Sequence, residues 1–65
     1  MSEVDEVALS LKDGYLQYQA ARGRNPSMES IREYVHMRLR GYESYHVMGN
    51  VADSLIELVM PNRNV

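Results

Sequence analysis

Large apolar side chains alternate with small or polar ones near the start of the chain. Apolar residues recur at every second position from residue 7 to residue 11, and the pair Asp13-Gly14 follows. Both residues of that pair tolerate the positive φ angles of a type I′ turn. A two-residue loop there would gather six residues on one face: Val7, Leu9, Leu11, Leu16, Tyr18 and Ala20. The pattern predicts a β-hairpin over residues 7–20, preceded by an acidic and partly frayed terminus over residues 1–6.

After a basic connector the apolar spacing becomes that of a helix. Asn25-Pro26 is typical of an N-cap followed by a first helical residue. At about 100° per residue, one apolar stripe contains Met28, Ile31, Val35, Leu39, Tyr42 and His46. A second stripe, about 120° away, contains Tyr34, Met37, Gly41, Tyr45 and Met48. We therefore expect one long helix over residues 26–48, with a break at Gly41 left open as the alternative.

In the last segment, Ile56, Leu58 and Met60 would share one face of a strand, with Leu55, Glu57 and Val59 on the other. Gly49-Asn50 indicates the end of a helix, and residues 51–60 have the period of a strand that ends before Pro61. The predicted fold class is α+β, with the element order ββαβ. A three-stranded antiparallel sheet would carry the one long helix on one face, within a single domain of residues 1–65.

Composition points to self-association. Leu, Ile and Val total 15 of the 65 residues, and Phe is absent, so the core is thin. Small domains with such cores usually need an additional constraint. The absence of cysteine excludes disulfides and thiolate metal sites, so oligomerisation is the constraint that remains. We expect a homodimer.

Charge and motifs narrow the function classes. Seven Lys and Arg residues against nine Asp and Glu residues give a net charge of −2, which argues against a nonspecific nucleic-acid binder. No stretch is long and apolar enough to span a membrane, and no signal peptide is recognisable, so we expect a cytoplasmic protein. No catalytic triad or phosphate-binding loop can be assembled, and His36 and His46 are too few for a zinc site. We expect no enzymatic activity, metal or cofactor.

The second helical stripe suggests an interface. A helix packed on a sheet needs only one apolar stripe, and Tyr and Met are enriched at binding surfaces. Gly41 would let another backbone approach closely. The stripe therefore predicts a dimer interface formed by Tyr34, Met37, Gly41 and Tyr45, or a protein-binding pocket at that interface. The alternative is that the stripe packs deeper under the sheet.

A short motif at the end of the predicted helix resembles a known family. The run from Met48 to Leu58 resembles the C-terminal part of the small uracil-DNA glycosylase inhibitors of phi29-like Bacillus phages. That family has Gly-Asn-x-Ala-Asp, followed by two aliphatic residues, one further residue and a Leu. The corresponding positions here are Gly49, Asn50, Ala52, Asp53, Leu55, Ile56 and Leu58.

The resemblance implies a bacteriophage protein that inhibits host uracil-DNA glycosylase by DNA mimicry, in the cytoplasm of an infected bacterium. Two copies would dimerise through their helices and capture the DNA-inserting leucine of the enzyme in an apolar pocket. The implied partner-binding residues are Tyr42, Tyr45 and Met48 for apolar contacts and Glu43 for a phosphate-like charge. The family has an aromatic residue where Met48 stands, and an acid where Gln17 stands.

Two alternatives remain open. Arginines between Arg24 and Arg40 could form the face of a small dimeric nucleic-acid-binding regulator. The same surface could instead inhibit another host nucleic-acid enzyme. Binding to DNA that weakens steeply with salt would favour the regulator.

Overall fold

The protein is a bundle of three helices. The computed structural model describes residues 2–62, in which α1 spans Glu3–Ala21, α2 spans Met28–Leu39 and α3 spans Tyr45–Val59. The one β-type pairing in this range is an isolated bridge between Arg40 and Glu43. The predicted ββαβ fold with a three-stranded sheet is therefore wrong, and the chain is all-α.

Helix α1 replaces both the predicted frayed start and the predicted hairpin. The Ser2 side chain caps it by accepting a hydrogen bond from the Asp5 amide at 3.1 Å, and acids in the first turn suit the helix dipole. Its buried residues recur at helical spacing: Ala8, Leu11, Tyr15 and Gln19. This segment therefore fits two periods, the two-residue period of a strand over residues 7–11 and the 3.6-residue period of a helix, and the structure adopts the helix.

Gly14 lies inside α1 and is not a turn residue. A Cβ atom at this position would lie 2.6 Å from the hydroxyl oxygen of Tyr34, closer than real Cβ atoms come to their neighbours. Glycine costs about 1 kcal/mol relative to alanine within a helix. Its role in α1 is therefore to let the Tyr34 ring approach the backbone.

The predicted long helix over residues 26–48 is broken in two. Helix α2 begins after Ser27, whose side chain forms a reciprocal capping box with Ser30, so Asn25 is not the N-cap. It ends at Leu39, and Gly41 has a φ angle of +91°, which favours glycine. The break at Gly41 that the sequence left open is the correct alternative.

Helix α3 contains both the predicted helix stop and the predicted third strand. Ser44 caps it by accepting from the Val47 amide at 3.2 Å, and Gly49-Asn50 lie within its second turn. Its buried stripe consists of Met48, Val51, Ala52, Leu55 and Ile56. The helical period of this stripe, running on from Met48, outweighs the alternation read over residues 51–60.

Helix α3 packs against both other helices. Val4 and Val47 line one groove between α1 and α3, and Leu9 and Leu58 line another, so the two helices run in the same direction. No helix among residues 2–62 combines the length and the apolar character that crossing a membrane requires.

Tyrosine rings fill the space between α1 and α2. The ring centroids of Tyr15 and Tyr34 are 5.6 Å apart in an edge-on arrangement, and those of Tyr18 and Tyr34 are 5.4 Å apart. The Tyr15 hydroxyl accepts a hydrogen bond from the Ser27 amide at 3.2 Å and also bonds the Ser30 hydroxyl. This cluster ties the first turn of α2 to α1.

Candidate functional site

The turn between α2 and α3 displays the most exposed large hydrophobic side chains of the described residues. Tyr42 is 84% exposed and Tyr45 is 77% exposed, and Met37 on the last turns of α2 is 54% exposed. We call these three residues the tyrosine corner. Isolated exposed hydrophobic residues are common, but two nearly free aromatic rings three residues apart are not explained by packing.

The backbone beneath the tyrosine corner is held by hydrogen bonds. The amides of Tyr42 and Glu43 both donate to the Leu39 carbonyl oxygen, at 2.9 and 3.1 Å. Ser44 then caps α3, so the five-residue turn is anchored at both ends. Its side chains are therefore presented from a defined backbone.

One polar ring contacts Tyr45, and two charged residues lie close to Tyr42 in the chain. The His36 ring lies against the Tyr45 ring, with centroids 5.4 Å apart and planes tilted by 46°. Arg40 and Glu43 are exposed on either side of Gly41-Tyr42. One cation and one anion at this position give the tyrosine corner a mixed polar rim, as binding surfaces usually have.

The structure brings together three of the four predicted partner-binding residues. Tyr42, Glu43 and Tyr45 share the exposed turn. Met48, in contrast, is only 3% exposed and belongs to the buried stripe of α3. It can support the position of Tyr45 one turn earlier but has almost no surface to offer a partner.

The predicted dimer interface is divided in the same way. Met37, Gly41 and Tyr45 lie exposed at the α2–α3 turn. Tyr34 is 5% exposed and is enclosed by the tyrosines of α1. The second stripe assumes one long helix. In the structure its residues are divided between α2, the turn and α3, and those at its two ends are buried.

The arginines predicted as a nucleic-acid-binding face do not form one uninterrupted basic surface. Arg32 pairs with Asp53 of α3 at 3.2 Å. The guanidinium of Arg38 lies 6.0 Å from the Tyr34 ring centroid, on the side of α2 that faces α1. Arg40 shares the outer side of α2 with Arg32, and Glu29 and Glu33 lie on that same side. Two of the arginines therefore share a surface, but carboxylates interrupt its positive charge.

The acidic residues and histidines of residues 2–62 also form no metal-binding cluster. Nowhere among residues 2–62 do three His, Asp or Glu side chains converge on a position that could hold a metal ion. The Ser54 hydroxyl donates to Asp5 Oδ1 at 2.8 Å, and this bond, with a further one from Ser2, lowers the pKa of Asp5. The lowered pKa reflects a contact between α1 and α3.

The motif that carried the family resemblance lies within α3. Gly49 and Asn50 are helical rather than a turn, and no strand follows them up to residue 62. Ala52, Leu55 and Ile56 are core residues. The aliphatic spacing of the motif is therefore accounted for by the packing of α3 in the bundle.

Exposed leucines on α1 and α3 were not identified from the sequence as surface residues. Leu9 is 49% exposed, Leu16 is 36% exposed, and Leu58 on α3 is 40% exposed. The hairpin interpretation placed Leu9 and Leu16 on the buried face. A helical projection of α1 would have separated them from Ala8, Leu11 and Tyr15, because they fall roughly 100° away.

Comparison with known proteins does not assign the chain to a group: no protein-family model, no curated protein sequence and no solved structure matches it.

Proposed function

We propose that this chain is a small, non-enzymatic protein-binding module that docks on a partner protein through the tyrosine corner. The observation that carries the proposal is the exposure of Tyr42, on the hydrogen-bonded turn, and of Tyr45, the first residue of α3. Tyr, Met and Arg are enriched at protein interfaces, and Met37 and Arg40 are exposed at the end of α2, just before this turn.

The arrangement suits tight binding at low entropic cost. A tyrosine side chain has only two rotatable bonds before its hydroxyl and offers a large contact area. Because the Leu39 carbonyl and the Ser44 cap already order the turn, little backbone freedom remains to be lost on binding. The rings would act as anchors that enter an apolar pocket of the partner, with Arg40 and Glu43 at the rim.

Inhibition of uracil-DNA glycosylase remains a specific form of this proposal. Its support is the sequence motif alone, whose aliphatic positions lie in the core of α3. A DNA mimic also needs an acidic docking surface, and the tyrosine corner has equal numbers of Arg and Glu at its rim. The geometry supports a protein partner in general, and it gives no separate support to that enzyme as the partner.

The decisive experiment places a photo-crosslinking amino acid at Tyr42 in the full chain, expressed in bacterial cells. The matched control carries the same group at Met28, which is exposed on the first turn of α2 at the opposite end of the bundle. We expect a partner that crosslinks from position 42 and not from position 28. Purified, it should bind the chain in a saturable one-to-one manner by calorimetry.

The variant test uses the same calorimetric measurement. Hot-spot aromatic residues each contribute on the order of 2 kcal/mol, so Tyr42→Ala with Tyr45→Ala should weaken binding by at least about 30-fold. Met28→Ala should leave the affinity within about twofold. Equal affinities for the double variant and the wild type would overturn the assignment of the site to the tyrosine corner.

Two further assays separate the specific targets. Stoichiometric loss of uracil excision by a bacterial glycosylase, relieved by the double variant, would identify that enzyme as the partner. Binding to a single-stranded oligonucleotide that falls steeply with salt, with no protein crosslinked from position 42, would instead favour the nucleic-acid regulator.

A further inference from the structure

A second apolar surface lies on the opposite flank of the bundle from the α1–α2 contact. Leu9 and Leu16 on α1 are seven residues apart and so project in nearly the same direction. Leu58 of α3 lies beside Leu9, across a groove of about 300 Å³ that is also lined by Asp5, Ser54 and Glu57. We call Leu9, Leu16 and Leu58 the leucine face.

The spacing along α1 is that of a helix-pairing seam. Leu9, Lys12 and Leu16 follow one another at intervals of three and four residues. These intervals keep side chains aligned toward a partner helix, as in the a and d positions of a heptad repeat. The seam is separate from the residues that α1 buries inside the bundle, so α1 can pair externally without opening the fold.

The charges along α1 favour a second copy of α1 running in the opposite direction. The helix begins with Glu3, Asp5 and Glu6, and the chain just beyond its end carries Arg22 and Arg24. Side-by-side copies in the same direction would place acid against acid. Antiparallel copies would place the acidic start of each against the basic end of the other and would also oppose their helix dipoles.

One antiparallel register satisfies the apolar and the charged positions together. When Leu9 of one copy faces Leu16 of the other, Lys12 faces Asp13 by the same count along the helix. Each contact occurs twice because the arrangement has a two-fold axis. Neither Lys12 nor Asp13 forms an ion pair with another of the residues 2–62, so both charges are available for this contact.

We propose that two copies of this chain associate through the leucine face, with their α1 helices antiparallel and Leu9 of each opposite Leu16 of the other. The thin core of a 65-residue chain gains apolar burial from this contact. The tyrosine corner takes no part in it, so the dimer displays two copies of that site. This proposal does not depend on the function proposed above.

Sedimentation equilibrium over a range of concentrations tests the surface. Leu9→Glu should raise the dimer dissociation constant at least about tenfold, because it removes a leucine from each of two symmetric contacts and adds a charge. Tyr42→Ala with Tyr45→Ala is the matched control and should leave the dimer intact. Because Leu9 is an exposed residue, circular dichroism should show that Leu9→Glu keeps its helix content.

Charge reversal tests the register. Lys12→Asp alone, or Asp13→Lys alone, should weaken the dimer because like charges would then face each other. The double variant with both changes exchanges the two charges and should restore the affinity toward that of the wild type. A merely structural role for either residue would not produce this recovery.

Disulfide trapping tests the direction of the helices, and the chain has no cysteine to interfere. A mixture of Leu9→Cys and Leu16→Cys chains should oxidise to a mixed dimer. Leu9→Cys alone should crosslink poorly, since seven residues of helix place its two copies about 10 Å apart along the axis. A chain that stays monomeric at millimolar concentration, efficient crosslinking of Leu9→Cys alone, or a dimer lost only on mutation of the tyrosine corner would each overturn the proposal.

Discussion

The five tyrosines of this chain divide into two groups with opposite surroundings. Tyr15, Tyr18 and Tyr34 pack against one another between α1 and α2. Tyr42 and Tyr45 project from the turn between α2 and α3 and are almost fully exposed. The residue type is the same, and the helices next to each group decide whether its rings serve the core or the surface.

The two groups also differ in how their hydroxyl groups are used. The Tyr15 hydroxyl bonds the Ser27 amide and the Ser30 side chain, so its burial costs little. Tyr42 has no such partner among the described residues, and water can solvate its hydroxyl. Mutations in the first group should therefore change stability, and mutations in the second group should change binding.

The largest expected difference is between Tyr15→Ala and Tyr42→Ala. Tyr15→Ala removes a fully buried ring and should lower the free energy of unfolding by about 3–5 kcal/mol, enough to unfold much of a small domain. Tyr42→Ala should change it by less than about 0.5 kcal/mol. Urea titration followed by circular dichroism measures both. A loss above about 1 kcal/mol for Tyr42→Ala would contradict the division into two groups.

The same contrast shows what the sequence could predict. Tyr45 is predicted as a binding residue because its stripe of interface-type side chains lacks a partner, and the family resemblance implies Tyr42; both are exposed. Tyr34 and Met48 belong to the same stripe as Tyr45 and are buried. The periodic pattern identifies an apolar helix face that has no partner within the predicted fold. It does not show which part of that face another helix of the same chain covers.

The predicted fold is wrong in segments, such as residues 7–11, that fit both the period of a strand and the period of a helix. Residues 7–11 alternate, yet Ala8 is buried and Leu9 is exposed, since α1 turns by about 100° per residue. Asp13-Gly14 has the chemistry of a turn, and only the position of the Tyr34 hydroxyl explains a glycine within the helix. Contacts between α1 and residues far along the chain decide both the helical state of residues 7–11 and the place of Gly14 within the helix. The spacing of residues within one segment does not contain that information.

A double-mutant cycle at Gly14 and Tyr34 sharpens this explanation. Gly14→Ala should gain up to about 1 kcal/mol of helix propensity but lose as much or more to the clash with the Tyr34 hydroxyl. Tyr34→Phe removes that oxygen, and the nearest remaining atom of the ring would be 3.7 Å from the new methyl group. Gly14→Ala should therefore be stabilising in the Tyr34→Phe background.

Thermal unfolding of the four chains gives the coupling between the two positions, which we expect to be about 1 kcal/mol. Tyr42→Phe in place of Tyr34→Phe is the matched control and should leave the effect of Gly14→Ala unchanged. Additive effects of Gly14→Ala and Tyr34→Phe would mean that Gly14 is not required by the tyrosine packing between α1 and α2.

The smallest expected effect concerns pH and lies away from both tyrosine groups. The Ser54 hydroxyl, followed by that of Ser2, lowers the pKa of Asp5 below its ordinary value of 3.8. Ionised Asp5 therefore stabilises the folded chain at pH values above 3.8, and this contribution is lost as the pH falls through the lower folded-state pKa. The effect is small because the carboxylate is exposed to solvent.

Ser54→Ala removes the main cause of the shift, so its destabilising effect should be present at neutral pH and should diminish in acid. Urea titrations of both chains at neutral pH and near pH 2 measure the difference, and nuclear magnetic resonance can follow the Asp5 carboxyl directly. Ser10→Ala is the control, because its hydroxyl bonds only the Val7 carbonyl oxygen within α1. If Ser54→Ala destabilised the chain equally at both pH values, its hydroxyl would contribute through packing of α1 against α3 rather than through the charge of Asp5.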